Sequence, residues 1–298
     1  MKALPLIIAT MLALPAISNA DTLKKVSDTK KIVVGVRDSS PPLSYSLGPG
    51  NYAGYHIEIC DRMIAALKRK LQISELSVEY QTVTSQNRIP LVKNGTVDIE
   101  CGTTTNNTAR QKDVAFAPTT YVTEIRIGTR VDSGIRSVSQ LAGKTVASAT
   151  GSTGVQALRK HKRAANLEFK ELYGKDHGEA FLLLESGRAD AMIIDDNILA
   201  GLISMSKNPA AFHLTGEALA VEPIAIMFRK DDPAFKSFVD EQIISMMKAG
   251  DIAKLYDKWF LQPIPPAGNK VGLKMSDTLK ELMAQPNDKP AEAYQESR

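Results

Sequence analysis

Short β-branched runs alternate with stretches of helical periodicity along this chain, and that alternation restricts it to layered α/β architectures with parallel strands. Residues 32–36, Ile-Val-Val-Gly-Val, have the composition of a buried strand. From residue 57 to 71 the apolar positions Ile57, Cys60, Ile64, Leu67 and Leu71 recur at helical spacing, and Lys68-Arg69-Lys70 reads as the solvated end of that helix, where cations suit its dipole. Strands are predicted over 76–81 and 96–100 with a short helix between them, an extended segment over 121–130, a short helix over 137–143 and a strand over 144–149. A helix starts after Gly151-Ser152. The rhythm continues as helix 179–187, strand 189–194 ending on Asp195-Asp196, helix 197–205, strand 224–228 and helices 233–248 and 251–260. Between 38 and 54 the chain is rich in turn residues. Its glycines at 48, 50 and 54 have the wrong spacing for a dinucleotide loop and lack a preceding strand, so a hairpin is expected. A short amphipathic stretch over 276–283 and a polar tail from Pro286, expected to be mobile, end the chain.

The first residues bear on compartment. Lys2 precedes an apolar run over 3–17, and Ser18-Asn19-Ala20 follows as a small-residue cleavage site, the three-part pattern of a secretory signal. The run is shorter than the roughly 20 residues a membrane-spanning helix needs, and no cysteine follows it to take a lipid. Cleavage after Ala20 would leave an exported chain starting at Asp21; losing Lys2 moves the formal charge from +4 to +3. Such a small excess argues against a nucleic-acid partner. In an oxidising compartment Cys60 and Cys101 could pair, but sequence supplies no distance between them.

In α/β sheets ligands lie at the carboxyl ends of strands. Here those ends are the segments beginning at Arg37, Cys101, Gly151 and Asp195. The loop Thr150-Gly151-Ser152-Thr153-Gly154 stands between a strand and a helix, where free backbone N–H groups favour an anion. Residues 101–110 present threonines, a glycine and Arg110 where a strand stops; Arg and Thr suit a carboxylate, although a Thr-rich turn capping a helix has the same composition. Asp195 adds the opposite charge at another strand end. Carboxylate binders with one carboxylate are what a zwitterion requires.

Gly-Val-Arg at 35–37, Thr-x-x-Asn-Asn-x-x-Arg ending at Arg110, Gly-Ser-Thr at 151–153, Gly-Arg-Ala-Asp-Ala at 187–191 and Leu-Tyr-Asp-Lys-Trp-Phe at 255–260 resemble segments of the bacterial extracellular solute-binding proteins that deliver polar amino acids to ABC importers. The resemblance, from about residue 32 to 288, is strongest to the glutamate/aspartate-binding type, through Thr-Ser-Gln-Asn-Arg-Ile-Pro at 84–90, Glu-Cys-Gly at 100–102, Lys-Asp-His-Gly at 175–178 and Pro-Ile-Pro-Pro at 263–266. It implies a two-lobe periplasmic-binding-protein-like fold of type II, with ligand in the interlobe cleft and two crossing strands as hinge near 121–127 and 220–227. The expected division is a signal peptide over 1–20, a discontinuous first lobe over 21–123 and 225–285, a second lobe over 124–224, and a polar C-terminal tail over 286–298. By the same resemblance Arg110, Thr105 and Thr153 hold an α-carboxylate, Asp195 and Thr103 the α-ammonium, and Arg37, Ser85, Arg88 and His177 the side-chain carboxylate. Thr103 stands where related proteins often have Ser, and Cys60 is not typical of the family. Tyr45 either covers the ligand stem or packs in the core.

The expected function is periplasmic binding of L-glutamate or L-aspartate by a monomer that passes the ligand to the membrane permease of an ABC importer, with no catalysis, cofactor or metal. Gly-x-Ser-x-Gly is absent, and His56, His161, His177, His213 and the two cysteines show no zinc spacing. The rivals are a cyclohexadienyl dehydratase-like enzyme on the same fold, using a carboxyl group as general acid, and a ligand-presenting partner of a membrane sensor.

Overall fold

A computed structural model describes residues 20–295. The expected export signal lies, but for Ala20, outside the described residues. In chain order the elements are α1 (Thr22–Thr29), β1 (Lys31–Val36), β2 (Ser39–Ser40), β3 (Ser44–Gly48), β4 (Asn51–Ala53), α2 (Tyr55–Lys70), β5 (Ser77–Thr82), α3 (Arg88–Lys93), β6 (Ile99–Glu100), β7 (Val114–Phe116) and the long β8 (Tyr121–Arg130). Then come β9 (Thr145–Ala149), α4 (Thr153–Ala165), β10 (Lys170–Gly174), α5 (His177–Glu185), β11 (Ala191–Asp195), α6 (Asp196–Met205), β12 (Phe212–Ile224), β13 (Met227–Arg229), α7 (Pro233–Lys248), α8 (Asp251–Tyr256), α9 (Asp277–Ala284) and α10 (Glu292–Gln295).

The chain folds into the two α/β lobes of a type II periplasmic-binding-protein-like architecture. One five-stranded sheet has the order β5-β1-β6-β13-β7, the other β10-β9-β11-β8-β12, and β2-β3-β4 form a small hairpin sheet. Parallel pairing holds where strand, helix and strand follow in turn: β1 with β5 and β6, and β9 with β10 and β11. It gives way to antiparallel pairing at β8, β12 and β13, the strands that leave and re-enter the first sheet's lobe. Along their shared length Tyr121 faces Ile224 and Ile125 faces Ala220.

Helix α2 shows how the apolar spacing acts: Tyr55, Ile59, Met63 and Leu67 form an i, i+4 stripe buried against the first sheet. Its Tyr55 packs edge-on against Tyr256 and Phe260, and Tyr121, at the start of β8, stacks on Phe260 with ring centroids 5.0 Å apart. The chain's exit toward the second lobe is thereby held by the first lobe's core.

Two expectations change. The single strand over 224–228 is broken: Ile224 ends β12, the Ala225 N–H is donated to the Thr104 carbonyl, and the Ile226 carbonyl accepts from Ala117 N–H, so pairing resumes only at Met227. The tail is anchored rather than loose through residue 291. The Asn287 carbonyl accepts from Thr119 N–H at 2.9 Å, the Asp288 carbonyl from Asn106 Nδ2 at 2.8 Å, and the Ala291 N–H is donated to the Asn106 carbonyl.

The two lobes touch across the cleft. From the hairpin sheet, Ser39 Oγ accepts from Gly178 N–H at 3.0 Å and Ser40 Oγ lies 2.7 Å from His177 Nδ1. On α6, a Cβ at Gly201 would overlap the Pro41 carbonyl, so only glycine permits this approach. Gly201→Ala is therefore expected to keep the lobes from meeting without unfolding either, and small-angle scattering should give it a larger radius of gyration than the parent.

Cys60 on α2 and Cys101 after β6 are disulfide-bonded, with Cα atoms 6.3 Å apart and a separation of 41 in sequence. Chain entropy alone gives such a loop about 4 kcal/mol of stabilisation. The doubly substituted Cys60→Ala, Cys101→Ala protein should unfold at correspondingly lower denaturant concentration.

Candidate functional site

Arg37 follows the last residue of β1, and its side chain turns into the cleft with 1 % exposure. Its Nη1 donates to Thr103 Oγ1 at 2.9 Å and its Nη2 to Ser85 Oγ at 3.2 Å. Arg88, the first residue of α3, is 2 % exposed; its Nη1 reaches Thr103 Oγ1 only at 3.5 Å, and its Nε has no hydrogen-bond partner among the described residues. Arg110 is buried as well, its Nη1 donating to the Thr105 carbonyl at 2.9 Å. Burial pushes the Arg37 guanidinium down to about 10 and that of Arg110 to about 9, with the neighbouring positive charge of Arg88 the next cause in both. All three remain protonated at neutral pH.

Anions face them. Glu100 ends β6 with its carboxylate fully buried, one oxygen accepting from Thr104 Oγ1 at 2.8 Å. A Cβ at Gly102 would overlap its other oxygen, so the glycine makes room for the carboxylate beside the arginines. Asp195 ends β11, buried; desolvation, then the charges of Glu222 and Asp196, push its carboxyl up to about 7 against the opposing pull of Arg88.

Glu222, on β12, completes this set. Its Oε2 accepts from Thr105 Oγ1 at 2.7 Å and from Thr153 Oγ1 at 2.6 Å. Thr105 follows β6 in the first lobe, whereas Thr153 starts α4 in the second, so one carboxylate oxygen receives a hydroxyl from each side of the cleft.

The structure brings Arg37, Ser85, Arg88, Thr103, Thr105, Arg110, Thr153, His177 and Asp195 to the facing sides of the two lobes, all of them buried. The charge state of His177 is set by its surroundings. Burial, with Arg37 and Arg88 adding repulsion, holds its imidazole well below the ordinary histidine range, so it is a neutral hydrogen-bonding group and not a third kind of cation. Tyr45 packs in the core, its ring edge-on to Trp259 and its hydroxyl donating to the Pro265 carbonyl at 2.7 Å. Sequence reasoning missed Glu100 and Glu222 as site residues. Glu222 had a signal, being the one charge in the apolar run 218–228. Among the described residues no group of three or more His, Cys, Asp or Glu could hold a metal ion, and no helix is long and apolar enough to cross a membrane.

Residues 32–262 match the family described as bacterial extracellular solute-binding proteins, family 3. The chain is 42% identical over 290 residues to the L-glutamate/L-aspartate-binding protein of Pseudomonas aeruginosa, covering 96% of each. To the glutamate/aspartate import solute-binding protein of Escherichia coli it is 40% identical over 268 residues, 90% of this chain and 89% of the relative. Among solved structures, the ancestral amino acid-binding protein AncCDT-1, described as a precursor of cyclohexadienyl dehydratase, superposes with a TM-score of 0.70 at 26% identity, over 80% of this chain and 99% of the other.

Proposed function

The chain belongs to family 3 of the bacterial extracellular solute-binding proteins, and from that premise we propose that it binds L-glutamate and L-aspartate between its lobes and hands them to the permease of an ABC importer. The carrying observation is the cluster of three buried guanidinium groups, one of them with an Nε that no described group accepts. A neutral amino acid has one carboxylate and would leave guanidinium groups unpaired in a dry cleft, which costs several kcal/mol. A ligand with two carboxylates pairs them.

In this reading Arg110, with the backbone N–H groups at the start of α4 and the flanking Thr105 and Thr153, takes the α-carboxylate. Asp195 and Thr103 take the ammonium, while Arg37, Ser85, Arg88 and the neutral imidazole of His177 surround the side-chain carboxylate. Closure of the lobes is the functional event: ligand binds the closed form better and shifts the open–closed equilibrium toward it. No bond is made or broken. The protein works as a monomer in the periplasm after loss of residues 1–20, and the hydroxyl-rich, arginine-lined cleft suits holding a dianionic ligand better than protonating a leaving group.

A second reading, a dehydratase-like enzyme, draws on the raised carboxyl of Asp195, which resembles a general acid. Turnover of a prephenate-like substrate by the purified protein would establish it and displace the binding role.

Calorimetric titration with glutamate, aspartate, glutamine and asparagine tests the main reading, which requires the two acidic ligands to bind and their amides to bind far more weakly. Arg88→Ala should weaken glutamate binding by about 100-fold or more. Its unliganded stability should change little, because removing the repulsion of Arg37 and Arg110 offsets the lost attraction to Glu100, Asp195 and Glu222. Unchanged affinity in this variant would remove Arg88 from the ligand.

The pH profile has a definite sign. Only the ionised form of Asp195 pairs with an ammonium, and its carboxyl sits near 7, so affinity should fall by up to about tenfold per pH unit below that value and level off above it. His177, neutral throughout, adds no step. Calorimetry between pH 6 and 8 that shows a flat profile would take Asp195 out of the ammonium contact.

A further inference from the structure

A hydroxyl group has one proton to give, and in the cleft two such protons have their direction set by a carboxylate partner, which can only accept. Thr105 and Thr153 both donate to the same oxygen of Glu222, at 2.7 and 2.6 Å, and their own oxygens lie 3.4 Å apart. Bonds from a neutral hydroxyl to a carboxylate are among the stronger hydrogen bonds. With both protons committed, each threonine oxygen has only lone pairs left to offer a ligand.

Backbone geometry, more than side-chain freedom, keeps this arrangement. Thr105 forms a β-bridge to Ile224, and the next N–H, of Asn106, is donated to the Pro223 carbonyl at 2.9 Å, so the loop after β6 is laid directly along the strand that carries Glu222. Glu222 itself is in register with Thr123 on β8. Thr153 arrives from the other lobe as the first residue of α4.

We propose that Glu222 is a positioning residue for the amino group of the ligand: by taking the hydroxyl protons of Thr105 and Thr153 it turns both oxygens into acceptors aimed at an ammonium. This rests on the amino-acid reading above and revises one part of it, since the two hydroxyls then serve the ammonium, and the α-carboxylate is left to Arg110 and the N–H groups at the start of α4. The charge distribution supports the revision. Burial, and then the charge of nearby Glu222, raises the Asp195 carboxyl, and an ammonium among these acceptors relieves that repulsion. A carboxylate in the same place would meet proton-less oxygens with another anion behind them.

The test compares L-glutamate with glutarate, which keeps two carboxylates and lacks the amino group. Glu222→Leu removes both carboxylate oxygens, so neither threonine proton keeps its acceptor. It should bind L-glutamate at least tenfold more weakly while glutarate changes by less than threefold, so that selectivity for the amino group collapses. A purely structural or lobe-closing role would weaken both ligands equally, and that result, like unchanged affinity for both, overturns the proposal.

A double-mutant cycle on glutamate affinity alone decides the matter even if glutarate binds the parent too weakly to measure. Because Glu222 acts through Thr105 and Thr153, Glu222→Leu added to the Thr105→Val, Thr153→Val protein should cost less than twofold further. Additive losses sink the idea. If the parent binds neither L-glutamate nor L-aspartate, the ligand assignment fails; a parent that binds them with an additive cycle condemns only the role given to Glu222. Thermal unfolding of each variant near the parent's temperature confirms that the comparison is made between folded proteins.

Discussion

Taking three guanidinium groups out of water within one cleft is the demand that everything around them answers. Each carries a desolvation penalty of several kcal/mol that only matched charge and hydrogen bonds offset. Glu100, Asp195 and Glu222 supply buried negative charge, while Ser85 and Thr103 supply hydroxyl oxygens to Arg37. The match is short of complete around Arg88, whose Nε has no partner among the described residues. A cleft tuned in this way is poised for an anion and penalises ligands that cannot supply one.

Such a charge cluster needs a stiff floor, because a loop free to move would collapse the arginines onto the nearest carboxylate. The loop from Cys101 to Thr105 is held from several directions. Cys101 is bonded to Cys60 on α2, and the Gly102 carbonyl meets Nδ1 of the fully buried His56, whose Nε2 lies 2.9 Å from Thr120 Oγ1. Burial pushes that imidazole down to about 4, so it adds no further positive charge beneath the site. The threonines on this loop can then be aimed by their backbone, without relying on side-chain rotamers.

The layered α/β class and most strands and helices were legible because they rest on local signals, apolar period and β-branched runs; polar residues where a strand stops marked the segments of Arg37, Thr103, Thr105, Arg110, Thr153 and Asp195, whereas Ser85, Arg88 and His177 entered only through the family resemblance. What stayed hidden was long-range. The outer half of β12 is interrupted by Thr215-Gly216-Glu217, where its register with β8 shifts, and nothing local marks it as a strand. The break at Ala225 and Ile226 exists because Thr104 and Ala117 claim their backbone groups, partners more than a hundred residues away in sequence. The charge of His177 was likewise unreadable, since it depends on burial between the lobes and then on two arginines from the other lobe. Glu222 was visible as an isolated charge in an apolar run, but only its threonine neighbours reveal what it is for.

The described chain enters and leaves through one lobe. Near its start, Thr22 N–H is donated to Asp232 Oδ2 at 2.7 Å; near its end, the Ala291 N–H is held by the Asn106 carbonyl. The second lobe hangs between them on two covalent leads, β8 and β12. A pull applied at either end would therefore load the first lobe alone, and the cleft would go on opening and closing as if nothing were attached.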